Sequence, residues 1–119
     1  MATVYNGPGT HVANLAVSAF RFVILSNNGG VTYAGTSNVP DGTTQIDGAS
    51  GDYIPVRYFG AGIGTMKVAV TGAPVTVGDT LYAAALGRVA PSGTITVGKS
   101  LTTTTTNDQV IELLPKTSI

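Results

Sequence analysis

Apolar and polar positions alternate along much of the chain in short runs. In "MKVAVT" (66–71), Met66, Val68 and Val70 fall on one face and Lys67, Ala69 and Thr71 on the other. That period of two belongs to a strand with one side buried. "YIPVRYF" (53–59) sets Ile54, Val56 and Tyr58 against Tyr53, Arg57 and Phe59. Pro55 has no ladder N–H, which places this strand at a sheet edge or beside a bulge. "FRFVIL" (20–25) and "QVIELL" (109–114) predict further strands. Turn signals separate the runs: "NNGG" (27–30), "PDG" (40–42), "DGASGD" (47–52), "FGAGIG" (59–64), "TGAP" (71–74) and "PSG" (91–93). Short strands broken this often predict an all-β sandwich or barrel. "DTLYAAAL" (79–86) carries three alanines, but Gly78 and Gly87 confine it to about two helical turns. A helix that short is marginal alone, so the segment reads as a strand running into a turn.

The pattern is stated twice. "AFRFVILSNNGGVTYAG" (19–35) and "GDTLYAAALGRVAPSG" (78–93) share a small residue, an apolar run, a Gly-containing turn and then a valine. Along the two copies Phe22 falls on Leu81, Val31 on Val89, Gly35 on Gly93 and Asp52 on Asp108. Each copy closes on a strand, "DYIPVRYF" or "DQVIELL". A half-sheet of this kind cannot bury its apolar face alone, whereas two together can close a small sandwich or barrel. The expected organisation is an extended N-terminal arm over residues 1–14 and a single β domain over 15–119. That domain divides into similar halves at about 15–64 and 65–119, joined by "FGAGIG" as a flexible connection.

Composition narrows the partners. The 119 residues (12.0 kDa) hold 16 Gly, no Cys, and only 10% charged side chains at zero net charge. Soluble domains average about 25% charged residues, so part of this surface is expected to be covered in the working state. Arg21, Arg57, Arg88, Lys67, Lys99 and Lys116 are scattered and matched by six acids. No basic stripe is present to neutralise phosphates, and no run of about 18 apolar residues is present to cross a bilayer. Neither a nucleic acid nor a membrane is therefore an expected partner. "MATVYNGPGTHVA" has neither the basic region nor the apolar core of a secretion signal, so the cytoplasm of the cell that makes it is the expected compartment.

Chemistry finds little support. His11 is the single histidine and has no Cys, serine elbow or carboxylate motif beside it. Acid–base catalysis needs paired titratable groups in opposed environments, so no enzymatic activity is expected. Asp41, Asp47 and Asp52 share one Gly-rich loop, but their spacing does not fit the EF-hand pattern. Asp before Gly is what tight turns select, and no metal or cofactor is expected. "FGAGIG" lacks the Lys-Ser/Thr that completes a phosphate loop. The run "TTTTT" (102–106) reads as a surface strand or an ordered polar loop.

The order of motifs resembles that of small bacteriophage capsid decoration (cement) proteins over roughly residues 15–115. The matching pieces are Gly78-Asp79-Thr80-Leu81-Tyr82, Gly87-Arg88-Val89, Val97-Gly98-Lys99-Ser100-Leu101 and Asp108-Gln109-Val110-Ile111-Glu112-Leu113. The first half answers with "FRFVIL", "GGV" and "GDYIPVRYF", but "VTYAGTSNVPDGTTQIDGASGD" departs from the usual "[IV]-G-[VI]-A" step. The resemblance implies a β-barrel or β-tulip-like sandwich without enzymatic activity. It also implies a virion protein that binds the major capsid protein on the capsid exterior, stabilises the head and is often a homotrimer. In that setting Val4, Tyr5, Pro8 and His11 are the expected capsid or oligomer contacts, with Val4 and Tyr5 able to add as a strand to a neighbour's edge. Two other readings stay open. One is a carbohydrate- or receptor-binding module using the five tyrosines. The other is a phage tail component that forms rings or tubes by itself.

Overall fold

The computed structural model describes residues 9–58 and 65–116. The expected 59–64 connection and the contact candidates Val4, Tyr5 and Pro8 lie outside these residues. Among the described residues ten strands form two five-stranded sheets. The first comprises β1 (Gly9–Val12), β2 (Phe22–Leu25), β3 (Val31–Tyr33), β4 (Gly42–Thr44) and β5 (Tyr53–Tyr58), in the order β1-β5-β4-β2-β3. The second comprises β6 (Met66–Ala69), β7 (Thr80–Ala83), β8 (Val89–Ala90), β9 (Thr96–Ser100) and β10 (Val110–Pro115), in the order β6-β10-β9-β7-β8. These are the same path traced twice. The all-β sandwich of two similar halves expected from the sequence is therefore present.

All ladder pairs are antiparallel. Around an odd number of strands such pairing leaves one parallel contact where the edges meet. That contact is present in both halves, as the bridges Ala13↔Val31 and Val70↔Val89. Each half thus curls toward closure, which shields edges that would otherwise be open to pairing. The bridges Val17↔Gly48 and Val75↔Thr104 repeat in the same way.

Each half surrounds its own core. The first holds Ala13, Val17, Val23, Val31, Ile54 and Val56. Ladder register and bridges equate these with Val70, Val75, Leu81, Val89, Ile111 and Leu113, all buried in the second cluster. The Val31–Val89 match read from the sequence is correct, whereas two others shift by one residue. Val23 pairs with Gly42 as Leu81 pairs with Gly98, so Leu81 corresponds to Val23 rather than Phe22. Gly51 N–H donates to Ala13 O at 2.8 Å, and Asp108 N–H to Val70 O at 2.6 Å. Asp108 therefore corresponds to Gly51 rather than Asp52. Both residues have positive φ, +92° and +65°.

Other expectations fare unevenly. Met66, Val68 and Val70 are buried as the alternation requires, and so are Ile54 and Val56. Residues 79–86 do run from β7 into a turn, a single 3-10 turn at Ala85–Gly87. The arm boundary at residue 14 is corrected, because β1 pairs with β5 in register Gly9↔Val56 to Val12↔Tyr53. β5 lies between β1 and β4, not at an edge. Pro55 is tolerated there because its O accepts from Gln45 N, just beyond the last β4 residue, Thr44. In antiparallel pairing a residue's N and O point to the same neighbour, so the missing donor faces the spot where the β4 ladder has already ended.

Candidate assembly surface

Most side chains that attract attention in the sequence are occupied within the fold. Asp41 Oδ2 accepts from Leu25 N at 2.8 Å, Asp47 Oδ1 from Ala19 N at 2.7 Å and Asp52 Oδ2 from Ala49 N at 2.9 Å. Each carboxylate satisfies a backbone amide, that for Asp41 at the end of β2 and the other two in loops, as turn aspartates do. Among the described residues no three His, Cys, Asp or Glu side chains gather as a metal site.

His11 sits on β1 at the position where the second half places the core residue Val68. Its Nδ1–H donates to Gly29 O at 3.0 Å, since a carbonyl can only accept. Nε2, 2.8 Å from Tyr58 Oη, then accepts the phenol proton. The two rings meet edge-on, with centroids 5.8 Å apart. Both ring nitrogens are thus taken up inside the first half, and the imidazole ties β1 to β5 and to the β2–β3 turn. Tyr33 is engaged too, its hydroxyl accepting from Ser18 N at 2.8 Å. Tyr33 and Tyr58 both pack on the first core, whereas Tyr53 is 75% exposed. Among the described residues, Tyr33, Tyr53 and Tyr58 therefore do not line up as a sugar platform.

The threonine run is an ordered loop with one buried member. Thr104, 2% exposed, occupies the position of Gly48, and its hydroxyl meets Gln109 Oε1 and the backbone of Thr106. Thr103 Oγ1 accepts from Val77 N and Thr102 Oγ1 from Glu112 N.

The seam between the halves is the feature that the sequence reading missed. Phe22 and Ala34, from the first half, are buried in the second core, and Ile24 packs against it. Ala69 N–H donates to Phe20 O at 2.8 Å and Gly87 N–H to Ala34 O at 2.9 Å. Asp108 Oδ1 lies 3.5 Å from Arg21 Nη2 and 3.0 Å from Arg88 Nη1. Arg21 Nη1–H also donates to Leu86 O at 3.0 Å. Two arginines from different halves thereby share one carboxylate.

Part of the exposed surface is apolar, with lysines beside it. Two shallow hollows open at the surface, the first at the seam beside Phe20 and the second on the second half. One, of about 410 Å³, is lined by Phe20, Lys67, Thr102, Val110, Ile111 and Glu112. The other, of about 360 Å³, is lined by Thr80, Thr96, Gly98, Lys99, Leu114, Pro115 and Lys116. Leu114 is 46% exposed on the outer face of β10, out of phase with buried Ile111 and Leu113. That out-of-phase leucine in "VIELL" was the one signal of this surface available in the sequence.

No family model matches the chain, and no curated protein matches it. Among solved structures, the head fiber gp8.5 N base of bacteriophage phi29 superposes with a TM-score of 0.76 at 21% identity. The match covers 93% of this chain and 94% of that one. The two share a fold across both halves, with almost no part of either left over.

Proposed function

We propose that this protein is a structural component of a phage virion, made in the host cytoplasm. It attaches to the outer face of the capsid lattice through the major capsid protein, stabilises the head and acts as a homo-oligomer, with a trimer favoured. The observation that carries this reading is the end-to-end fold match to a phage head fiber base, in which both halves take part. The order of decoration-protein motifs points the same way, and so does a low charge content that leaves exposed apolar residues to be covered. The polar groups serve the architecture: carboxylates hold turns, hydroxyls hold loops, and His11 ties strands together. A repeating lattice needs many modest contacts rather than one strong site, because multivalency multiplies their effect.

Val4, Tyr5 and Pro8 are the proposed reach toward a capsid neighbour. They precede β1, an edge strand of the first sheet, so a strand added there continues from the domain without disturbing it. The test is co-sedimentation with capsids of the major capsid protein encoded in the same genome, together with the temperature at which decorated capsids rupture. Full-length protein is expected to bind and to raise that temperature. Deleting residues 2–8, which spares β1, is expected to weaken attachment while leaving the circular dichroism spectrum unchanged. Equal binding by the deletion would remove the arm from the proposal. No binding by the full-length chain would remove capsid attachment itself.

A further inference from the structure

The duplication allows each half to be used as a control for the other. Where equivalent positions differ in burial, something covers one half and not its counterpart. Phe22, Thr43 and Arg57 form a row across β2, β4 and β5, on the side opposite the first core. Phe22 and Thr43 are each 0% exposed, and Phe22 enters the second core. The equivalent row in the second half is Thr80, Lys99 and Leu114, joined by the same ladder pairs. All three are exposed, and all three line the 360 Å³ hollow.

The receiving side of the seam shows the complementary difference. Ala69 and Gly87, which meet the first half, are buried. Their counterparts Val12 and Gly29 are respectively half-buried and exposed. The second half thus presents, uncovered, the face by which the first half docks. The first half presents, uncovered, the face on which docking takes place.

We infer that a second copy of this chain fills the vacancy: the Thr80–Lys99–Leu114 face of one copy seats on the β1 and Gly29 side of the next, repeating the internal seam between chains. The contact is heterologous, since a different patch is used on each partner, and it generates a ring if the rotation closes. Thr80 and Lys99 replace Phe22 and Thr43, so the contact between copies is more polar than the internal seam, as suits association of separately folded chains. This inference rests on the homo-oligomer of the proposed function and names its contact. A wild-type oligomer that Leu114→Asp leaves intact fails the contact alone, a monomer fails both, and capsid attachment is tested separately by co-sedimentation.

Cross-linking tests the geometry directly, since the chain has no cysteine of its own. At the internal seam a Cβ built on Gly87 lies 3.0 Å from Arg21 Cβ and crowds Phe22 O. That spacing is shorter than the roughly 3.5–4.5 Å that a disulfide spans, so the bond forms once the contact opens by about 1 Å. The equivalent pair between copies is Gly29 and Asp79. The Gly29→Cys, Asp79→Cys double variant is expected to give cross-linked oligomers under oxidising conditions. A mixture of the two single variants should give a dimer, and neither single variant should cross-link alone. Because Asp79 Oδ2 accepts from Thr76 N, folding is checked by circular dichroism and a second arm avoids that residue. In the second arm, sedimentation should show wild-type self-association that Leu114→Asp weakens at least tenfold. Val39→Asp, at an exposed apolar position outside both rows, should leave it unchanged. A wild-type protein that stays monomeric at all concentrations would overturn the inference. So would symmetric cross-linking of either single variant, or self-association that Leu114→Asp does not alter.

Discussion

At the scale of single residues, the duplicated backbone shows which side chains answer to geometry and which to their own chemistry. Phe20 and Gly78 occupy one equivalent position, as do Gly51 and Asp108, and all four have positive φ. Glycine fills the slot without strain, while Asp108 stays there with its carboxylate held by Arg21 and Arg88. Gly42 and Gly98 also coincide, for a different reason: the neighbouring strand passes too close for a side chain. A Cβ on Gly42 would lie 2.6 Å from Arg57 O and 2.7 Å from Val56 Cγ1, and one on Gly98 would run into Leu114 O. Backbone cannot rotate aside as a flexible side chain does. Gly42→Ala is therefore expected to destabilise by about 1–3 kcal/mol in urea denaturation. Gly35→Ala, whose added methyl would meet only Asn38 Oδ1 at 3.4 Å, should be neutral or slightly stabilising. Equal effects at the two positions would mean that close strand approach is not what selects glycine at residue 42.

At the scale of elements, the strands were legible because half-buried strands write their burial into alternate letters. Ile54 and Val56, or Met66 and Val68, follow that rule, while Ala69 departs from it because it is buried where the first half meets β6. Register was less legible. Matching Asp52 to Asp108 pairs identical letters, but the backbone asks for positive φ at that site, and glycine and aspartate both supply it. The interior place of β5 was hidden for a related reason. Pro55 rules out a ladder bond on one side only, and nothing in the letters reveals that β4 stops at Thr44. The threonine run conceals the sharpest contrast. Five identical residues stand in a row, yet only Thr104 is buried, with its hydroxyl accepting from Thr106 N and meeting Gln109. Thr104→Val keeps the shape and removes the hydroxyl with its bonds to Thr106 and Gln109, both of which stay open to water, and is expected to cost about 1 kcal/mol. Thr105→Ala, at an exposed position, should stay within about 0.5 kcal/mol. Thermal denaturation of the two variants checks this, and similar losses at both positions would contradict the buried role of Thr104.

At the scale of the whole molecule, the two halves are unequal copies held in one unit by a seam. The seam was not legible in the sequence, because which outer faces meet depends on the path of the chain between the halves and not on any local pattern. At three of the six matched core positions the first half has the smaller side chain: Ala13 for Val70, Val23 for Leu81 and Val56 for Leu113. Less apolar area leaves the water on the first side, so the first half is the weaker copy. Its stability is supplemented across the seam, where Phe22 enters the second core and Arg21 reaches Asp108. Native-state hydrogen exchange should therefore find comparable protection in the strand amides of both halves, the sign of a single cooperative unit. Phe22→Ala empties a fully buried site at the seam and is expected to cost about 3–5 kcal/mol. The loss should not be shared equally. Protection should fall first and furthest in the strands between residues 9 and 58, while β6, β9 and β10 keep a larger part of theirs, since Val68, Val97, Ile111 and Leu113 still pack on one another. An equal fall across both halves would show that Phe22 serves one shared core. A wild-type protein whose first half already exchanges far faster than its second would show that the seam does not couple them.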